Sequence, residues 1–97
     1  MANAAPKLLI VGSINRDLIF YGPHGSQMKP NACLVFDSWA AYHGGKGANQ
    51  AAAAAVLGAH PTLVGAVGSD PAGEEIASAL KALGVDVSGV ARVADTQ

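Results

Sequence analysis

A single cysteine, Cys33, stands among 97 residues, so the chain can build neither a disulfide framework nor a cysteine-based zinc site by itself. His24, His43 and His60 lie far apart and in no ligand spacing, so no metal site is expected. Charge is also sparse: six Lys+Arg against seven Asp+Glu, scattered singly, give a net charge of -1. No basic stripe can track phosphates. One Trp, two Tyr and two Phe give no base-stacking platform, which argues against nucleic acid as a partner. No apolar run is long enough for a bilayer span, and "MANAAPKLLIVGSIN" makes no convincing signal peptide. A reducing, cytoplasmic setting with no membrane partner is the expectation.

What is abundant is apolar surface. Hydrophobic residues make up 51% and charged residues 13%, which is unusually apolar for a free-standing domain of this size. The chain therefore reads as part of something larger. "KLLIVGS" (Lys7 to Ser13) has the continuous apolar pattern of a strand buried on both faces. "DLIFYG" and "CLVFDSW" are β-prone runs flanking a Gly/Pro-dense turn, the pattern of a hairpin-like excursion. An alanine-rich helix is expected from about Gly47, stopped by Gly58 and Pro61. "PTLVGAVGSD" reads as another buried strand. Asp70 and Pro71 then open an amphipathic helix carrying Ile76, Ala79, Leu80 and Leu83, which Gly84 ends. "VDVSGVARV" (Val85 to Val93) is expected to be a third core strand. Strands alternating with helices imply an α/β fold with a parallel sheet, left incomplete after that strand.

The segment "YHGGKGANQAAAAAVLGAH" places three glycines at the start of a helix. It is not a P-loop: Gly45 and Lys46 are followed by Gly47 rather than Ser or Thr, and Ala40 stands where the first glycine belongs. Nor is it a dinucleotide fingerprint, since Gln50 occupies the third glycine position and the block does not follow the first core strand. Close helix–strand packing accounts for one glycine but leaves Lys46 and Asn49 unexplained. A floor for a polar, neutral ligand accounts for more, because amides, carboxylates and free N–H groups supply the directed hydrogen bonds that a sugar needs. Asn15 and Asp17 in "SINRD" add a second polar pair at the end of the first strand, where ligands of open α/β sheets bind. Asn15, Asp17, Gly44, Gly45, Lys46 and Asn49 are thus expected to converge.

"VGSINRD", "GGKGANQAAAAAVLGA", "VGAVGSDPAG" and "LGVDVSGV" together resemble the N-terminal part of ribokinase and its relatives, the PfkB carbohydrate kinases. The resemblance covers nearly all of the chain from Lys7 onward. It implies a Rossmann-like parallel sheet with flanking helices and a small β lid at about residues 18–39, the whole of 1–97 being the N-terminal portion of a kinase domain. It implies that Asn15, Asp17, Gly44, Gly45, Lys46 and Asn49 line a sugar pocket. It further implies an ATP-dependent transfer to a sugar hydroxyl, with Mg2+, room for a monovalent cation, and a homodimer formed through the lid. The family's G-A-G-D motif, which brings the general base and the ATP site, is absent from these 97 residues, so no catalytic residue is assigned here and the chain by itself is expected to be inactive. A nucleoside or small-alcohol kinase of the same family, or a truncated non-catalytic binding module, are the alternatives. Two departures bear on the sugar's identity: Arg16 replaces a usually small or apolar residue, and Pro30-Asn31-Ala32 stands where relatives carry Pro-Gly-Glu. Cys33 and Trp39 are expected to pack in the lid or at a lid interface, and His43 to be a surface or satisfied histidine.

Overall fold

The computed structural model describes residues 5–22 and 36–94. In chain order it forms β1 (Lys7–Val11), β2 (Asn15–Tyr21), β3 (Ser38–Gly44), α1 (Lys46–Val56), β4 (His60–Gly68), α2 (Pro71–Ala82) and β5 (Val90–Val93). The strands make two sheets. One is parallel, in the order β1-β4-β5, and the other is the antiparallel pair β2-β3. Parallel neighbours need crossovers. The route from β1 to β4 runs through the β2-β3 pair and α1, and the route from β4 to β5 runs through α2.

Both helices pack on one face of the parallel sheet. Ile10 on β1 stands beside Leu63 on β4 in the register, and Leu63 is fully buried. Leu63 and Val67 meet Ala48 and Ala51 from α1 and Ile76 and Leu80 from α2. The alanines explain how α1 lies so close: a methyl group at position 51 is completely covered, and anything longer would hold the helix off the sheet. On the opposite face Leu9 and Val11 are 70% and 75% exposed. The expected burial of this strand on both faces is therefore not met: Leu8 is exposed too, only Ile10 is partly covered, and the second apolar face has no partner among the described residues.

The expected helix signals act as read. Asp70 caps α2, its Oδ1 accepting from the Gly73 N–H at 2.8 Å, with Pro71 at the first helical position and Glu74 in the first turn. Both helices are followed by glycines at positive φ, Gly58 and Gly84. Asp70→Ala is expected to cost about 1 kcal/mol, within the roughly 0.5–2 kcal/mol of N-cap losses. The check is a urea-unfolding midpoint that falls with an unchanged slope.

Two strand expectations need correction. The run Val85 to Val93 is not one strand: β5 begins only at Val90, and Asp86 makes an isolated bridge to Thr62. The Asp86 carboxylate accepts from the Ser88 N–H at 2.9 Å, so a side chain competes with the ladder and turns the backbone. Those bonds hold Asp86 below the usual carboxylate range. The second excursion strand runs Ser38–Gly44 rather than ending at Trp39, because pairing with β2 draws Ala40 and Ala41 into the sheet despite their poor strand propensity. Cys33 and the Pro30-Asn31-Ala32 departure lie outside the described residues. Among the described residues no helix is long and apolar enough to cross a membrane.

Candidate functional site

Gly12, Ser13 and Ile14 carry the chain from the end of β1 directly into β2, and β3 returns to end beside that same turn. The register sets Asn15 opposite Gly44, Asp17 opposite Tyr42, Ile19 opposite Ala40 and Tyr21 opposite Ser38. Residues facing one another across an antiparallel pair share a face, and neighbours along a strand alternate. One face of the small sheet therefore carries Asn15, Asp17, Ile19 and Tyr21 with Gly44, Tyr42 and Ala40. The other carries Arg16, Leu18 and Phe20 with His43, Ala41 and Trp39.

Arg16 thus does not share a face with Asp17, because the two-residue period turns it to the opposite side. There it lines a cavity of about 150 Å³ with Asp70 and Gly73 at the start of α2. His43 follows it and lies 3.9 Å from the exposed Glu75 carboxylate.

Asp17 leans diagonally across the sheet. Its carboxylate occupies the space that a Cβ on Gly44 would take. Gly44 is buried beneath it, while Asn15 and Asp17 are exposed. Gly45 comes next at φ 98°, and a side chain there would meet the Ser13 carbonyl oxygen at 2.5 Å and the Asn15 nitrogen at 2.9 Å. A positive φ and a close backbone approach coincide, which only glycine tolerates.

The start of α1 is held by a residue that the sequence reading had not singled out. Gly45 is its N-cap and has no side chain to offer. Ser13 substitutes from across the turn: its Oγ accepts from the Lys46 N–H at 3.0 Å and its carbonyl from the Ala48 N–H at 3.0 Å. A serine closing an apolar run is the only sequence signal of this role, and serine in a turn has many other uses. Gly47 then lies against Gly12, backbone to backbone.

The structure brings Asn15, Asp17, Gly44 and Gly45 to one end of the β2-β3 pair, with Lys46 immediately beside them. Asn15 and Asp17 open β2 rather than closing β1 as expected, because β1 stops at Val11 and the chain turns through residues 12–14. Asn49 sits one helical turn on, its N–H donating to the Gly45 carbonyl at 2.9 Å. It is exposed and also borders a cavity of about 190 Å³ between α1 and α2, along with His43 and Leu80. Among the described residues, the side chains of Asn15, Asp17, Lys46 and Asn49 make no hydrogen bond to one another. A carboxylate, two amides and an ammonium group are left free to bond something else. No group of three or more His, Cys, Asp or Glu among the described residues can hold a metal ion.

Farther along the Asp17 face, the Tyr21 and Tyr42 hydroxyls share a long hydrogen bond of 3.4 Å. That bond, with the neighbouring phenol's charge behind it, raises Tyr21 above an ordinary tyrosine.

Residues 5–97 match the family model of the pfkB family carbohydrate kinases. The chain belongs to the pfkB family. This pfkB-family chain is 38% identical over 81 residues to ribokinase of Haemophilus influenzae, covering 84% of itself and 26% of that protein. Among solved structures, it superposes on ribokinase of Cryptococcus neoformans in complex with ADP with a TM-score of 0.80 at 33% identity, covering 94% of this chain and 28% of that one. Ribokinase of Arabidopsis thaliana, complexed with ribose and ATP, gives 0.79 at 35% identity, over 95% and 30% of the two chains. The pfkB segment thus spans about a quarter of the curated ribokinases it matches, and its α/β fold is that of the solved ribokinases.

Proposed function

We propose that the strand end formed by Asn15, Asp17, Gly44 and Gly45, with Lys46 and Asn49, binds the sugar of an ATP-dependent, ribokinase-like carbohydrate kinase. The observation that carries this reading is the Asp17 carboxylate lying over Gly44 beside an exposed Asn15, in a chain of the pfkB family. A glycine surface lets a ring approach the backbone, and a charged acceptor next to it fixes hydroxyl groups. Asp17 accepts hydrogen bonds from the sugar, Asn15 and Asn49 give and accept neutral ones, and Lys46 donates. Relatives complexed with ribose and ATP, and with ADP, support both the substrate class and the nucleotide.

The β2-β3 pair is the lid element, and its Asp17 face supplies the Asn15, Asp17 and Gly44 part of this floor, in a cytoplasmic enzyme. Its other face meets α2 at the Arg16·His43 end and carries an aromatic cluster at the far end, with ring centroids of Phe20 and Phe36 5.5 Å apart and those of Phe20 and Trp39 6.4 Å apart. Trp39 is 59% exposed, a surface suited to pairing with the lid of a second copy.

What these residues do for the reaction is positioning. Holding one hydroxyl in line supplies a large part of phosphoryl-transfer catalysis. The residues present do not supply the family's nucleotide motif: no G-A-G-D stretch occurs in the 97 residues. The 97 residues alone are therefore expected to turn over no ATP with ribose, whereas an intact polypeptide of ribokinase length that carries them together with a G-A-G-D stretch is expected to do so. A coupled ADP-release assay on both checks this. Ribose-dependent turnover by the 97 residues alone, or none by the intact polypeptide with any sugar, would contradict the reading.

A further inference from the structure

The Asp17 face of the lid changes character halfway along. Its first two rungs, Asn15·Gly44 and Asp17·Tyr42, carry the polar groups, and its last two, Ile19·Ala40 and Tyr21·Ser38, do not. Tyr42 and Tyr21 stand on rungs four residues apart, roughly 13 Å along a strand at about 3.4 Å per residue. Their hydroxyls nevertheless meet at 3.4 Å. Only side chains laid along the sheet toward each other can close such a gap. The two rings therefore bridge the low Ile19·Ala40 rung as a bar. Asp17 leans the opposite way, over Gly44. The bar is not core: Tyr21 and Tyr42 are 47% and 49% exposed, so packing within this chain does not account for two aromatic rings at these positions.

We infer that Tyr42, braced by Tyr21, is a specificity-determining residue that ends the sugar floor on the side away from the glycines, so that a free sugar fits and a sugar carrying a base does not. This rests on the sugar-floor reading. The polar stretch is only about two rungs, or roughly 7 Å, long, which suits one sugar ring. A substituent projecting past Asp17 meets the Tyr42 ring. Tyr21 is a positioning residue that acts through Tyr42.

The test is calorimetric titration of D-ribose and of adenosine into the intact natural polypeptide and its variants. The unaltered protein is expected to prefer ribose. Tyr42→Ala is expected to raise adenosine affinity relative to ribose by about tenfold or more, the scale on which pocket shape discriminates. Tyr42→Phe keeps the ring but loses the hydroxyl bond to Tyr21, and is expected to shift the ratio less than Tyr42→Ala does. Tyr21→Ala removes the brace from the other strand and is expected to shift the ratio in the same direction, which preserves the test if Tyr42→Ala fails to fold. An unchanged ratio in the folded alanine variants, the same shift in Tyr42→Phe, or an initial preference for adenosine would overturn the inference. Asp17→Ala separates the two levels. If it abolishes ribose binding while the alanine variants leave the ratio alone, only the bar is wrong. If it leaves ribose binding intact, the floor and the bar fall together.

Discussion

Alanine at position 17 is expected to lower the sugar affinity of the intact polypeptide by about tenfold to a hundredfold or more for each hydrogen bond lost. Hydrogen bonds to a charged group are worth roughly 1.5–3 kcal/mol, and each 1.4 kcal/mol or so is a factor of ten in affinity. Asn49→Ala should act in the same direction but less, because its bonds are neutral. Nucleotide affinity measured without sugar should stay near its original value, since the residues singled out here build no nucleotide site. Gly44→Ala gives the same result by a different route. Its new methyl falls on the Asp17 carboxylate, which is an exposed side chain and can swing away at little cost. Sugar affinity should fall as it does in Asp17→Ala while the unfolding midpoint barely moves. Calorimetric titration of both ligands, with a urea melt of each variant, reads both halves of the prediction. A Gly44→Ala protein with full sugar affinity would mean that the position of Asp17 over Gly44 does not matter for binding.

The second large effect is on stability. At Gly47 an added Cβ would lie 2.6 Å from the Gly12 carbonyl carbon, 2.7 Å from its Cα and 3.0 Å from the Ser13 nitrogen. All three are backbone atoms, so no side chain can yield. Helix α1 must retreat from β1, which pulls Lys46 and Ala48 away from Ser13 and opens the packing around Ala51. Overpacking of this kind costs about 1–3 kcal/mol, occasionally more. The better helix propensity of alanine returns about 1 kcal/mol at most, and lost hydrogen bonds add about 1 kcal/mol each. Gly47→Ala should therefore destabilise by about 2–3 kcal/mol, visible as a clear drop in the unfolding midpoint. A variant as stable as the parent would show that the helix does not approach the strand so closely. The same substitution at Gly58, where a Cβ meets nothing within 4 Å, tests φ alone.

Those two glycines show where sequence reasoning had purchase. Gly44 and Gly47 are spaced for different tasks, one beneath a carboxylate and one against a strand, and a run of glycines before an alanine helix points to close approach without saying of what. The parallel sheet was legible because β1 and β4 each carry a continuous apolar stretch, Leu8 to Val11 and Leu63 to Val67. The second helix was legible because Asp70, Pro71 and Gly84 act locally. Less legible was anything decided across the chain. Ala40 and Ala41 are strand residues only because β2 lies beside them. Arg16 belongs to the other face only once the Asn15–Gly44 register is known. Ser13 caps a helix that begins 33 residues later, and no local pattern announces that. The Asp86–Ser88 turn shows the reverse, a local side-chain bond that overrides a β-prone run. The Tyr21–Tyr42 contact needs both the register and the rotamers.

The most direct measurement is a crystal structure of the intact natural polypeptide soaked with D-ribose. The sugar is expected against the Gly44–Gly45 backbone. Its hydroxyls should lie within about 2.5–3.0 Å of the Asp17 carboxylate, with Asn15 and Asn49 in reach and the Tyr42 ring beyond. A sugar bound elsewhere, or bound here with Asp17 turned away and making no contact, would contradict the account, leaving the glycines with helix–strand packing as their only role.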